Sequence, residues 1–175
     1  GYLTGSVNNH CKIENAEIAV NAVGNGSNVT DEPTIHVSHT AFNNNLIGIQ
    51  MTDDEYGTSF IAYNYFECES EFLTKGPHLG VYPQQHILLE DATDVQIGAS
   101  GNATNTFTDI YSGIKVVRSN VFIRTSHFEY LKNNNVIPPQ QGIGIITENS
   151  SAVACTLEVG MTTRFNNLNR GIFSQ

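Results

Sequence analysis

The run "TDDEYG" sets three carboxylates side by side, Asp53, Asp54 and Glu55. Adjacent carboxylates could contribute to the roughly six to eight oxygens that Ca²⁺ takes. They could also act as the acid and base of glycoside cleavage, which needs two carboxylates at a defined separation. Consecutive residues of a strand point to opposite faces, so three in a row converge poorly. A solvated loop is the favoured reading, with Ca²⁺ second and catalysis third. "FECESEF" presents Glu67, Glu69 and Glu71 at period two, which on a strand would align them along one face. Such a row repels itself unless it is solvated or metal-bound, and a solvent-facing edge is favoured, with Ca²⁺ again the alternative.

The histidines point to no zinc centre. His10 and His39 both stand three residues before an apolar residue, Ile13 and Phe42, and Tyr63 stands three before Phe66. That shared offset predicts a polar and aromatic column, but it supplies two of the three or four converging ligands that zinc needs. His36 and Ser38 complete no hydrolytic triad. "GNGSNVTDEP" is glycine-rich, yet it has neither a phosphate-loop lysine nor a following helix. Three cysteines cannot all pair internally. Cys11 and Cys68 fall in different columns of the repeat described below and about 10 Å apart along its axis, beyond the Cα reach of a disulfide. Both are expected to be small buried residues.

Eight Lys and Arg against seventeen Asp and Glu give a net charge of −9. That balance argues against nucleic acid, whose binding rests on neutralising phosphates. No apolar run approaches the length of a spanning helix, so no membrane span is expected, and no basic-then-apolar leader opens the chain. Its 175 residues suit one domain.

The chemistry-bearing residues must be held by something, and the sequence repeats. "TAFNNNLIGIQ", "NTFTDIYSGIK" and "TRFNNLNRGIF" align on Phe42, Phe107 and Phe165. Two positions earlier stands Thr40, Asn105 or Thr163, and two positions later Asn44, Asp109 or Asn167. Six and seven positions later come Gly48-Ile49, Gly113-Ile114 and Gly171-Ile172. Weaker copies centre on Ile13, with Ala19-Val20, on Phe66, with Phe72-Leu73, and on Phe128, whose Gly-Ile follows the insertion "NNNVIPPQQ". Upstream, "TIHV", "SFIA" and "NVFIR" alternate like short strands. Each unit therefore reads as a strand, a polar bend, an apolar plug, a second bend and a second strand. Alone, no unit could bury its apolar face; stacked, the units place Phe above Phe and join polar residues into ladders. About twenty asparagines suit bends that need left-handed backbone.

Over nearly its whole length this pattern resembles the right-handed parallel β-helix of the pectin-lyase-like superfamily. Units of the form N-x-F-x-N-x-x-x-G-I, mixed with stretches like "HILLEDATDVQIG", resemble β-helical regions of large secreted surface proteins of Bacteroidetes-type bacteria. The resemblance implies an all-β solenoid of about six coils with loop insertions, occupying residues 1–175 as one domain, at the cell surface or outside the cell. Polygalacturonases of this fold carry Asn-Thr-Asp, Asp-Asp, Gly-His-Gly and Arg-x-Lys motifs. Only Asp53-Asp54 matches any of them, and Arg118, Arg124, Arg164 and Arg170 lie in no lyase-like motif.

A widely shared fold selects no activity. The expectation is a non-catalytic stalk, scaffold or adhesin-like module, with weak binding of an extracellular glycan, no catalytic residues and no resident cofactor, Asp53, Asp54 and Glu55 being the Ca²⁺ candidates. The alternative is a carbohydrate-active lyase or hydrolase. Because the pattern opens and stops mid-unit, the chain is expected to belong to a longer β-helix or to associate end to end.

Overall fold

The computed structural model describes residues 1–6, 9–24, 34–52, 58–69, 77, 81, 83–99, 104–109, 111–130, 142–149 and 156–175. Asp53, Asp54, Glu55, Glu71, Phe72 and Leu73 lie outside them.

Short β-rich runs separated by polar bends fold into six coils of three strands each. The first coil holds β1 (Tyr2–Thr4), β2 (Cys11–Glu14) and β3 (Ile18–Val23), and the second β4 (His36–Ser38), β5 (Thr40–Asn43) and β6 (Ile47–Thr52). The third holds β7 (Ser59–Ala62), β8 (Tyr65–Glu67) and β9 (Gln85–Glu90), and the fourth β10 (Val95–Ile97), β11 (Asn105–Thr108) and β12 (Ser112–Val117). The fifth holds β13 (Asn120–Ile123), β14 (Ser126–Glu129) and β15 (Ile143–Glu148), and the sixth β16 (Thr156–Val159), β17 (Arg164–Asn166) and β18 (Arg170–Ser174). Strands three apart in sequence pair in parallel, giving three six-stranded sheets: β1-β4-β7-β10-β13-β16, β2-β5-β8-β11-β14-β17 and β3-β6-β9-β12-β15-β18. This is a parallel β-helix, with one turn of chain per rung.

The plug alignment is the observed register. Ile13 pairs with Phe42, Phe42 with Phe66, Phe66 with Phe107, Phe107 with Phe128 and Phe128 with Phe165. The five rings stack at 4.5–5.1 Å with planes within 10° of parallel, because strand spacing sets the repeat. Each plug sits within a strand of the second sheet, where the sequence suggested a bend between two strands. The cause is the sharpness of the corners, which leaves room for a third strand in every coil. A single left-handed residue joins the first sheet to the second at His39 (φ 51°), Tyr63 (φ 62°) and Thr125 (φ 35°). Asn15, Asn44, Asp109 and Asn167 turn the chain toward the third sheet at φ of 52–54°. These are the positions two after the plugs Ile13, Phe42, Phe107 and Phe165, and Asn and Asp tolerate this conformation better than other side chains.

Two further columns from the third sheet complete the interior: Val20, Ile49, Ile87, Ile114, Ile145 and Ile172, and beside them Ala22, Met51, Leu89 and Val116. The first sheet adds Val37, Ile61, Ile97 and Ile123, and all three walls meet in one hydrophobic core. Polar residues two before the plugs face the same core. Thr40, Asn64 and Asn105 are fully buried and linked: Asn64 Oδ1 accepts from the Thr40 N–H at 3.1 Å, and Asn105 Oδ1 from the Asn64 N–H at 3.0 Å. Their amide nitrogens donate to Val37 O and Ile61 O. The ladder satisfies corner backbone groups that no strand partner reaches.

One assignment is corrected. The third coil's counterpart of Gly-Ile is His86-Ile87, not Phe72-Leu73, since Ile87 pairs with both Ile49 and Ile114. β8 ends at Glu67 and β9 begins at Gln85, a longer stretch of sequence than separates β5 from β6, so the repeat is displaced in sequence while the strands keep their register.

Candidate functional site

With the interior columns filled by core and ladder, chemistry is left to the outer faces and corners. Two corners present side chains in register, and they differ in kind.

The corner between the first and second sheets carries rings. His39 and Tyr63, left-handed residues of successive coils, stack at 4.8 Å with planes 7° apart. His10 does not continue that stack. It lies tilted 6.1 Å from His39 and edge-on 5.2 Å from Tyr65, because Gly5 occupies the turn beside His39 in the first coil, its N–H bonded to Ser38 O. On the outer face of the first sheet Tyr2, His36 and Phe60 form a second line, at 4.9 and 6.2 Å. Tyr2 is 82% exposed, Tyr65 49% and Tyr63 39%. Among the described residues seven rings thus sit on the outside of the first three coils, whereas the matching positions of the first sheet in later coils hold Gln96, Phe122 and Glu158.

The corner between the third and first sheets carries charges. Arg118 forks onto Asp91, with Nε to Oδ1 at 2.7 Å and Nη2 to Oδ2 at 2.6 Å, and Nη2 also reaches Glu90 Oε1 at 2.8 Å. Asp91 and Arg118 both have left-handed backbone and are stacked neighbours, the Asp91 N–H donating to Val117 O. One coil further on, Lys115 Nζ binds Glu148 Oε1 at 2.8 Å. The hydrogen bond from Arg118 holds the Asp91 carboxyl below the usual carboxylate range, and the two carboxylates push the guanidinium further toward its charged form. Sequence reading passed over this cluster although a signal existed. Glu90 and Asp91 stand three and four residues after Ile87, the offsets of Val117 and Arg118 from Ile114, and the misplaced third coil hid the match.

Of the carboxylates singled out from sequence, Asp53, Asp54 and Glu55 lie outside the described residues, and the structure says nothing of their Ca²⁺ reading. Glu67 ends β8, and Cys68 follows it as a buried residue, so the strand does not carry the Glu67, Glu69, Glu71 row onward. Cys68 is buried and Cys11 half-buried. Arg124 is exposed. Among the described residues no group of three or more His, Cys, Asp or Glu could hold a metal ion, and no helix is long and apolar enough to cross a membrane. No family model matches the chain, and no curated protein and no solved structure matches it either.

Proposed function

We propose that the chain is a right-handed β-helical module of the pectin-lyase-like type, working as a stalk, scaffold or adhesin-like element of a secreted or cell-surface protein, and that it binds an extracellular glycan weakly. The observation carrying the binding part is the ring-bearing corner. A pyranose offers a C–H face to stack on an aromatic ring and hydroxyls for the polar edges around it, and Tyr and His combine an apolar body with a polar rim. Carboxylates outnumber cations across the chain, which favours a neutral glycan over an acidic one. The scaffold part rests on the unbroken register of six coils. Ile172 is 50% exposed where Ile114 and Ile145 in the same column are fully buried. A further coil, from a longer chain or a second copy, would cover it.

The test is a screen of neutral and acidic oligosaccharides by titration, followed by Tyr63→Ala with Tyr65→Ala. Binding of a neutral oligosaccharide that weakens at least about tenfold in the double variant, measured well below its melting temperature where its β-sheet circular-dichroism spectrum matches the parent's, is expected. Binding that survives the double variant removes this corner from the reading.

The alternative, a carbohydrate-active lyase or hydrolase, has one observation in its favour: Glu90, Asp91, Lys115, Arg118 and Glu148 converge over three adjacent coils. Against it, the guanidinium and its carboxylates are bound to one another. Cleavage of a uronic-acid polymer by the pure protein, abolished by Asp53→Ala, Asp54→Ala or Arg118→Ala, would put the enzyme first.

A further inference from the structure

The third sheet keeps glycine at one position in four of its six coils, Gly48, Gly113, Gly144 and Gly171, with Ala19 there in the first coil, and the reason is steric. A Cβ at Gly48 would lie 3.2 Å from the Phe66 ring, and at Gly113 and Gly144 it would lie 2.7 Å from Phe128 and Phe165. Each of these glycines thus sits beside the plug of the next coil. The third coil breaks the rule with His86, whose imidazole is 3% exposed and wedged against two plugs, 5.7 Å from Phe66 and 6.2 Å from Phe107. Its Nε2 is buried with no hydrogen-bond partner among the described residues, and so is Oγ of Ser112, the residue paired with Gln85 on the adjoining strand.

Among the described residues nothing around this ring compensates a positive charge. From β6 and β11 no ionisable side chain is present at all. β8 carries Tyr65 and Glu67 on the face opposite Phe66, and β12 carries Lys115, which points outward to Glu148. On β9 itself Glu90 is turned outward to Arg118. Cys68, Asp109 and Tyr111 stand at the neighbouring corner, and burial is what pushes the imidazole down. A proton there would leave an unpaired cation in an aromatic core, a costly arrangement.

We infer that His86 is an acid-sensitive joint of the solenoid: protonation opens the stack at the third coil, loosening β9 from β6 and β12 while the outer coils stay folded. Locality follows from the architecture, since in a solenoid each coil contacts only its neighbours and the stack can part at its weakest interface. Burial pushes the imidazole down to about 3 from the ordinary 6.5. The folded state therefore refuses a proton that the open state accepts, and stability, intact above about pH 6.5, is lost as pH falls toward 3. At about pH 4.5 the opening equilibrium constant should be about a hundredfold larger than at neutrality.

The test is pulsed hydrogen exchange on the full chain, pre-equilibrated between neutrality and about pH 4.5 and labelled at one fixed pH, with His86→Leu and His86→Gln beside the parent. Amides of β6, β9 and β12 should open first in the parent, and either variant should suppress most of that hundredfold rise. His127→Gln, which removes a histidine from the outer face, should leave it in place. Opening at the same pH in whichever His86 variant folds, or simultaneous loss of all eighteen strands, overturns the inference.

Discussion

Inside the second sheet Thr40, Asn64 and Asn105 stack coil upon coil; one residue earlier, at the corner outside, His39 and Tyr63 do the same. Register is common to both columns, but what each demands of its residues differs. The buried amides must meet backbone groups that would otherwise be orphaned, so few side chains could replace them. The exposed rings meet water and each other, and the column passes from ring to Thr125 without disturbing the coil. Inside, the repeat fixes chemistry; outside, it fixes only position. Recognition can therefore vary along the exterior while the fold stays constant, and the ring corner and the charged corner are two products of one backbone.

Substitutions should separate the two regions by size of effect. Phe107 is fully buried between Phe66 and Phe128. Phe107→Ala should cost about 3 to 5 kcal/mol as a core truncation, read from reversible denaturant titration. A loss under about 1 kcal/mol would mean that the rings are not the spine of the stack. Asn64→Ala comes next. It leaves the Thr40 N–H and Val37 carbonyl unpaired in the core, at about 1 to 3 kcal/mol, and Asn64→Asp should not rescue it, because a carboxylate cannot donate to Val37 O. Rescue by Asp would show that the donated bond is dispensable.

Tyr63→Ala, by contrast, should cost about 1 kcal/mol or less, the order of a single stacked pair. A value matching that of Asn64→Ala would erase the distinction between inner and outer columns.

The sequence made the inner region far more legible than the outer. Phe42, Phe107 and Phe165 announce the register because core packing allows few alternatives, and Asn44, Asp109 and Asn167 announce the corners because left-handed backbone restricts the choice. The third strand per coil was less visible, since a turn made of one residue such as His39 leaves little punctuation. His86 was hidden altogether: it replaces a glycine, after an insertion that made Phe72-Leu73 look like the continuation. Arg118 reads in the sequence only as one of four arginines outside any lyase-like motif, because its partners Asp91 and Glu90 lie 27 and 28 residues away and become neighbours only once the third coil is in register. Exterior chemistry of this kind is written in pairs of coils, and no single stretch of chain shows it.

The charged corner should give the smallest effect and the one most dependent on conditions. Arg118 and its carboxylates are partly exposed, so their attraction is screened and offset by the entropy of holding long side chains still. Arg118→Ala should therefore shift the melting temperature less than Tyr63→Ala does, and raising the salt to about 1 M should shrink the difference further. The acid limb provides a second reading of the same pair. Asp91 is held below its ordinary value, so its contribution is present above the unfolded value of 3.8 and fades as pH falls through the lower folded one. Asp91→Asn should flatten stability only in that lowest range. The decline below about pH 6.5 belongs to His86 and should remain in Asp91→Asn. If Arg118→Ala instead lowered stability as much as the loss of Asn64 does, and did so equally in high salt, the exterior pair would be acting as a structural clamp, and the charged corner would have to be grouped with the ladder inside.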